Sequence, residues 1–197
     1  MEVKDLVKDA FFDFPARLVY LGESVPLQSY DKVKGHVVKK YEDKMVLDCF
    51  ILDNAYDSAF KQLILRMRLT FIYGQCMGHR DSIDYSEFGT ITGLGVRFLA
   101  AIGRHKSLDK LREKYAKVSQ SVKGNTKHYF YSNYPMPELK TWVEKDWYRE
   151  TVPLQVGDDY FNCPVDYDKV LRACYGDYMQ LPPEETRVPM HVKPDEQ

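Results

Sequence analysis

The sequence predicts an α+β fold in which helices surround a mixed sheet. The first observation is a nearly continuous apolar run, Met45–Leu52, whose length is typical of a central strand buried on both faces. The second is helical spacing of apolar residues in three long segments: Ala55–Met77, Thr90–Ile102 and Leu108–Ser119. The third is a pair of short apolar segments, Thr151–Val156 and Tyr160–Cys163, which flank Gly157–Asp159 and predict a hairpin.

Length and composition limit the function classes. A chain of 197 residues suits one domain, residues 1–197, that buries a core of its own. A net charge of −1 offers no basic field for nucleic acid, so no nucleic-acid partner is expected. The four cysteines form no Cys-x-x-Cys pair, which favours reduced thiols in a cytoplasmic protein. The chain has neither an apolar signal core at its start nor an uncharged run that would cross a bilayer.

Four segments precede the apolar run. Helical spacing predicts a helix over Val3–Phe14, and Arg17–Leu21 has the composition of a short strand. Gly22–Tyr30, which contains a proline, is predicted to be a polar loop. Lys32–Lys40 is compatible with a strand or a short helix, and we favour a strand.

The long segment Ala55–Met77 predicts a helix whose core face is made of apolar residues three and four positions apart: Phe60, Leu63, Ile64, Met67 and Phe71, widened by Leu65, Leu69 and Ile72. Basic residues, Lys61, Arg66 and Arg68, lie along the remainder. Such a helix either contacts an anionic membrane surface or packs on the core with a solvated basic face. The second interpretation is favoured, because most amphipathic helices of globular proteins are of that kind.

Later segments are predicted in the same way. Gly93 and Gly95 lack the lysine and the third glycine of phosphate-binding loops, so close helix packing explains them better. Ser107 is placed to cap the helix Leu108–Ser119. The aromatic-rich segment Lys127–Tyr134 predicts a strand.

Asp48 is the one charge inside the apolar run Met45–Leu52. A carboxylate in an apolar strand is costly unless it is paired or bound to a metal, so buried carboxylates are often functional. The alternative is an aspartate at a strand end that bonds to the backbone. Asp53, further along, is predicted to cap the following helix.

The C-terminal region predicts a short helix, Asp168–Cys174, that stops at Gly176, a natural C′ glycine. Asp166 and Asp168 resemble an Asp-x-Asp metal pair, but capping and the helix dipole explain acids at a helix start better. Two tyrosines and a methionine precede the prolines Pro182 and Pro183, so this segment is expected to pack down.

Tyr175–Val188 reads Tyr-Gly-Asp-Tyr-Met, a spacer, Pro-Pro-Glu-Glu, and then Thr-Arg-Val. This run resembles the C-terminal signature of the LicD family, which are phosphocholine transferases of the nucleotidyltransferase superfamily. Two further groups of residues occupy matching places: Asp48, Phe50, Leu52 and Asp53, and then Trp147, Tyr148, Gly157, Pro164, Tyr167, Asp168 and Leu171. The alternative explanation of the run is a helix C-cap followed by a packed tail.

The resemblance implies a nucleotidyltransferase-like fold and a magnesium-dependent transfer of phosphocholine, or a similar phospho-alcohol. The donor would be CDP-choline or a related CDP-alcohol, and the acceptor a cell-surface glycan or teichoic acid precursor. Asp48 would be the catalytic and metal-binding carboxylate. Tyr175, Asp177, Tyr178 and Arg187 would line or brace the substrate site, with Arg187 meeting a phosphate or pairing with a nearby glutamate. The location would be cytoplasmic, with the inner face of the membrane as a possible site of contact.

The family's catalytic hallmark is a Gly-Gly or Gly-Ser turn followed by an Asp-Asp-Asp-Ile-Asp-like strand, and neither occurs in the sequence. Magnesium ions in such sites need several convergent carboxylates, which Asp48 alone does not supply. We therefore expect a single LicD-like domain with an incomplete sheet that lacks its N-terminal catalytic portion, and whether it is an enzyme stays open. The alternative is a catalytically inactive accessory protein of the same fold that binds a nucleotide or a glycan.

Overall fold

The computed structural model describes residues 2–3, 14, 16–19, 21–31, 36–43, 46–80, 83, 85, 88–133, 139–181 and 183. The chain forms two compact units, and the first combines residues 1–5, 16–49 and 177–197. The second combines residues 6–15 and 50–176. The α+β class is confirmed, whereas a single domain over residues 1–197 stays a prediction. The strand pairs of the described residues are all antiparallel, so the expected mixed sheet is replaced by four small antiparallel sheets.

The described residues of the first unit form five strands: Glu2–Val3 (β1), Ala16–Val19 (β2), Val25–Asp31 (β3), His36–Asp43 (β4) and Val46–Cys49 (β5). They form a sheet of order β1-β2-β5 and a separate hairpin, β3–β4. The strand predicted at Arg17–Leu21 is confirmed, and the one predicted at Lys32–Lys40 begins later. The polar loop predicted at Gly22–Tyr30 is wrong from Val25 onward, because pairing with β4 gives this part of the segment the hydrogen bonds of a strand. Most of the helix predicted at Val3–Phe14 lies outside the described residues, although Val3 itself is in β1.

The predicted strand Met45–Leu52 is not one buried strand. It divides into β5 and a second strand, Leu52–Ala55 (β6), which belong to different units. Between them, the Ile51 backbone bonds to a turn instead of to a neighbouring strand: Asn133 Oδ1 accepts from its N–H at 2.6 Å, and its carbonyl accepts from Ser132 N at 3.0 Å. Leu47 is 63% exposed, so the expectation of burial on both faces is wrong. An apolar run in the sequence indicates which residues favour a strand, but it does not indicate where one strand ends and the next begins.

The second unit begins with β6 and continues with Ala59–Cys76 (α1), Thr90–Gly103 (α2), Leu108–Ser119 (α3), His128–Tyr131 (β7), Trp142–Glu144 (β8), a 3₁₀ turn at Lys145–Tyr148, Thr151–Val156 (β9), Asp159–Pro164 (β10) and Tyr167–Tyr175 (α4). Strands β6, β7 and β8 form one sheet in that order, and β9 pairs with β10. The predicted hairpin is confirmed, with Gly157 at φ 63° in its turn, a conformation that glycine adopts without steric cost. The strand predicted at Lys127–Tyr134 is confirmed by β7.

The core of this unit lies between α1, α3 and β7. Its buried residues include Leu65, Leu69 and Ile72 of α1, Leu111, Tyr115 and Val118 of α3, and Phe130 of β7. The core face predicted for α1 is wrong for five residues, Phe60, Leu63, Ile64, Met67 and Phe71, which are all exposed. The three residues predicted to widen it, Leu65, Leu69 and Ile72, are the ones that are buried. Both sides of α1 are apolar, so periodicity alone selects the wrong one. Gln62 lies on the inner side, where its Oε1 accepts a hydrogen bond from Tyr56 N at 2.9 Å.

The helix boundaries follow capping residues. Ser58 caps α1 and Ser107 caps α3, each through a side-chain oxygen that accepts from a backbone N–H at 3.5 Å. The cap predicted at Asp53 is wrong, because that residue is in β6. The helix α4 ends at Gly176, as predicted, with φ 70° and an N–H that donates to the Arg172 carbonyl at 2.9 Å.

The C-terminal end of α1, with the 3₁₀ turn Met77–His79 that follows it, approaches the end of α2 closely at two glycines. A Cβ placed on Gly103 would overlap the Gln75 carbonyl oxygen, and one on Gly78 would overlap the Ala100 carbonyl oxygen. The close helix packing predicted at Gly93 and Gly95 is therefore found at Gly78 and Gly103 instead. Gly93 is buried beneath Phe88, whereas nothing lies within 4 Å of a Cβ on Gly95.

Gly103→Ala should destabilise the protein by about 1–3 kcal/mol, because the new methyl group meets backbone atoms of α1 that have no free rotation. Gly95→Ala is the matched control in the same helix. It should stabilise the protein by about 0.5–1 kcal/mol, since alanine loses less backbone entropy than glycine. Urea unfolding of the two variants measures both effects, and equal midpoints would contradict the packing described for α1 and α2.

Candidate functional site

Asp48 lies in β5, opposite Arg17 of β2 in the strand register. Its side chain is exposed, and so is that of the preceding Leu47. The expectation of a buried carboxylate is therefore wrong, and a surface aspartate carries no desolvation cost that a metal would have to offset. The role of Asp48 as a catalytic and metal-binding residue stays a prediction.

Tyr175, Asp177 and Tyr178 lie at the end of α4. Tyr175 is the last residue of the helix and is 63% exposed. The Asp177 carbonyl accepts from Gln180 N at 3.0 Å, which closes a turn that contains the half-buried Tyr178. The expectation that this segment packs down is wrong for Tyr175 and for Met179, which is 70% exposed.

The predicted site residues are divided between the two units. Tyr175 belongs to the unit that contains residues 50–176, whereas Asp48, Asp177 and Tyr178 belong to the other. Arg187 lies outside the described residues. Within the part of the chain that the structure describes, no group of three His, Cys, Asp or Glu residues is arranged to hold a metal ion. The described carboxylates therefore do not by themselves form the magnesium site that the resemblance implies.

Asp166 and Asp168 are engaged by cations at the start of α4. Asp166 accepts from Arg149 at 2.7 Å and pairs with Lys169 at 3.1 Å, and Asp168 accepts from Arg172 at 2.9 Å. The hydrogen bond from Arg149, followed by that from Lys169, lowers the pKa of Asp166. Asp166 occupies the N-cap position without a side-chain capping bond, so ion pairing replaces the predicted capping.

Asp57 and His128 form a polar contact that the sequence does not predict. Asp57 Oδ1 lies 2.8 Å from His128 Nδ1 and accepts from the Lys127 backbone N–H, also at 2.8 Å. The His128 ring lies against Trp142, with 4.4 Å between ring centroids. The hydrogen bond with His128, and then that from Lys127, lowers the pKa of Asp57. The contact joins the residues before α1 to the start of β7, across a separation of 71 positions that sequence spacing does not reveal.

Asp53 and Trp142 each bury a polar atom that has no hydrogen-bond partner among the described residues. These atoms are Asp53 Oδ2 and Trp142 Nε1. The two residues lie in one row of the sheet, since Asp53 and Trp142 are both register partners of Phe130. Buried polar atoms in native proteins are rarely unpaired. Asp53 Oδ2 and Trp142 Nε1 are therefore exceptions to this pattern inside the second unit. The local pattern around Asp53 predicted a capping role, and it did not indicate a position in a sheet with one buried carboxylate oxygen.

Burial suppresses the reactivity of several titratable groups in the second unit. The pKa of the Cys76 thiol is raised to about 12 by burial, so the thiolate that would act as a nucleophile is scarce at neutral pH. The hydroxyl groups of Tyr131 and Tyr148 lie 2.9 Å apart, and burial raises the pKa of both. These side chains are therefore neutral at physiological pH.

Asp57→Asn should flatten the dependence of stability on acid pH. The pKa of Asp57 is lower in the folded protein than in the unfolded chain, so its stabilisation is present above the unfolded value of about 3.9. That stabilisation is lost as the pH falls through the folded pKa. The wild type should thus lose more stability than Asp57→Asn between pH 5 and pH 2.5 in urea unfolding. Asp109→Asn, which changes a well exposed carboxylate, is the control, and parallel curves for Asp57→Asn and the wild type would refute the effect.

Comparison with known proteins gives no relative. No family model, no curated protein and no solved structure matches this chain. Among the helices that the structure describes, none is long and apolar enough to cross a membrane.

Proposed function

We propose that the chain takes part in a LicD-like transfer of phosphocholine, or a similar phospho-alcohol, from a CDP-linked donor to a cell-surface glycan or teichoic acid precursor. The observation that carries this proposal is the run Tyr175–Val188, which resembles the LicD signature over consecutive positions. The hairpin and helix expected before this run are present as β9, β10 and α4. A nucleotidyltransferase-like fold is part of the same proposal.

The exposure of the described signature residues favours a ligand-binding role over a packed tail. Tyr175 and Met179 are largely exposed, so packing does not account for an aromatic and an apolar side chain at these positions. An exposed tyrosine ring is suited to a quaternary ammonium group, which is attracted to the face of an aromatic ring, and to stacking on a cytosine base. In this proposal Tyr175 and Tyr178 contribute to donor binding, and the Asp177 carbonyl closes the turn that contains Tyr178.

Asp48 and Arg187 take the charged roles. Asp48 is exposed at the surface of its sheet, where a ligand reaches it without unfolding the strand. A guanidinium group such as that of Arg187 matches a phosphate group through two parallel hydrogen bonds. Mg²⁺ is the cofactor in this proposal, with Asp48 as one of its carboxylate ligands.

The proposed reaction is a phosphoryl-type transfer. A hydroxyl oxygen of the acceptor forms a bond to the phosphorus of phosphocholine, and the bond from that phosphorus to CMP breaks. CMP leaves with the electron pair, and the hydroxyl proton passes to a base. Positioning and charge neutralisation supply most of the catalysis in reactions of this class.

A second candidate is a catalytically inactive accessory protein that binds a nucleotide or a glycan. Two observations favour it: the absence of a Gly-Gly or Gly-Ser turn followed by an acidic strand in the sequence, and the absence of a three-carboxylate group among the described residues. The two candidates share donor or acceptor binding and differ in turnover.

Calorimetry with CDP-choline, with and without Mg²⁺, tests the binding that the transferase requires. Tyr175→Ala should weaken CDP-choline binding by about 3- to 30-fold, which corresponds to the loss of a cation–π contact. Tyr160→Ala is the matched control, because Tyr160 is a similarly exposed tyrosine, at 68%, in β10 of the same unit. Equal losses in both variants would contradict the assignment of Tyr175.

Release of CMP in the presence of a glycan acceptor separates the two candidates. Turnover that Asp48→Asn abolishes, without a change in the unfolding midpoint, supports the transferase. Binding of CDP-choline or glycan without turnover supports the accessory protein. An absence of binding to CDP-choline, with and without Mg²⁺, and to glycan overturns both.

A further inference from the structure

The outer side of α1 carries a continuous apolar stripe. It consists of five residues: Phe60, Leu63, Ile64, Met67 and Phe71, which are 42–71% exposed. The stripe lies opposite the inner side of the same helix, where Leu65, Leu69 and Ile72 are buried in the core. Exposed large apolar residues are unremarkable when they are scattered, but a contiguous stripe marks an interaction surface.

Helix α2 repeats this arrangement. Ile91, Leu94 and Phe98 are 87%, 62% and 66% exposed, whereas Gly93, Ala100 and Gly103 on the other side are buried. The two helices pack directly on each other, because the Leu99 side chain lies over Gly74, one turn beyond the last residue of the α1 stripe. The two stripes therefore belong to helices that contact each other within one compact unit, and we call them together the outer apolar face.

The charged side chains within α1 and α2 are all positive. Neither α1 nor α2 contains Asp or Glu, while α1 contains Lys61, Arg66 and Arg68, and α2 contains Arg97. With 3.6 residues per turn, Lys61 and Arg68 lie along one edge of the α1 stripe and Arg66 along the other. Arg104 follows directly after α2.

This charge pattern selects among possible occupants. A second copy of the chain that docks through the same face brings like charges together, which is unfavourable. An anionic lipid surface offers contacts both to the apolar side chains of the face and to the basic side chains of the same two helices. The apolar side chains enter the boundary between headgroups and acyl chains, and the lysine and arginine side chains extend to the lipid phosphates.

We propose that α1 and α2 bind an anionic lipid bilayer through the outer apolar face, with both helices lying at the surface of the bilayer. The proposal is independent of the transferase function, since it rests on residues that have no part in the predicted substrate site. It assigns a role to the exposed apolar residues of α1, which do not belong to the core.

Sedimentation with lipid vesicles tests this proposal on the full chain. The protein should co-sediment with vesicles of phosphatidylcholine and phosphatidylglycerol in equal parts, and much less with phosphatidylcholine alone. Binding to the anionic vesicles should fall at least tenfold in the triple variant Phe60→Ser/Met67→Ser/Phe98→Ser. It should also fall several-fold in Lys61→Gln/Arg68→Gln and at high salt, because screening weakens attraction between charges at a surface.

Matched control variants distinguish binding through this face from nonspecific adsorption of the protein to vesicles. Val156→Ser/Phe161→Ser removes exposed apolar side chains from the hairpin β9–β10, and Lys117→Gln removes an exposed charge from α3. Both should bind like the wild type. The substituted residues of the outer face are exposed, so unfolding midpoints should change little, and circular dichroism verifies this.

Three results would overturn the proposal. One is an absence of binding to anionic vesicles, and another is equal binding to neutral and anionic vesicles. The third is light scattering that shows a dimer, abolished by the triple variant, with no vesicle binding by the wild type. That last result would assign the face to a second copy of the chain.

Discussion

The packing of α1 on α3 and β7 is the constraint on which the second unit depends. Both sides of α1 are apolar, and only one of them fits between Tyr115 of α3 and Phe130 of β7. Once Leu65 and Leu69 occupy that space, Phe60 and Met67 must point outward, because they lie on the opposite side of the same helix. The burial of one stripe thereby creates the exposed one.

The crossing of α1 and α2 places a second limit on this unit. The helices approach so closely at Gly78 and Gly103 that a side chain of any size would meet backbone atoms of the partner helix. Lys106 adds a polar link to the crossing through a hydrogen bond of 2.6 Å to Gln75 Oε1. The crossing holds α2 against α1 and leaves an exposed apolar stripe on each of the two helices.

The C-terminal run has a different physical character from the core. Its first part follows a helix that ends at a glycine with positive φ, a stop set by local backbone chemistry. The side chains of Tyr175 and Met179 then project from the surface, where they add little to stability. Ordered backbone with exposed aromatic and acidic side chains is an arrangement suited to ligand contact, which is why the transferase proposal rests on this run and not on a cavity.

The sequence by itself determined the elements whose signals are local. Ser107 capping α3, Gly176 ending α4 and Gly157 in the hairpin turn all act through their own backbone neighbours, so their pattern is visible along the chain. The α+β class follows from those elements.

Tertiary structure decided which surfaces are buried. The two apolar sides of α1 are equivalent in the sequence, and packing against residues such as Tyr115 determines which side is buried. An apolar run such as Met45–Leu52 forms a single strand only if all of its residues pair within one sheet. The contact between Asp57 and His128 likewise exists only after β7 lies beside β6. Burial and long-range pairing depend on residues distant in the chain, and local periodicity contains no information about them.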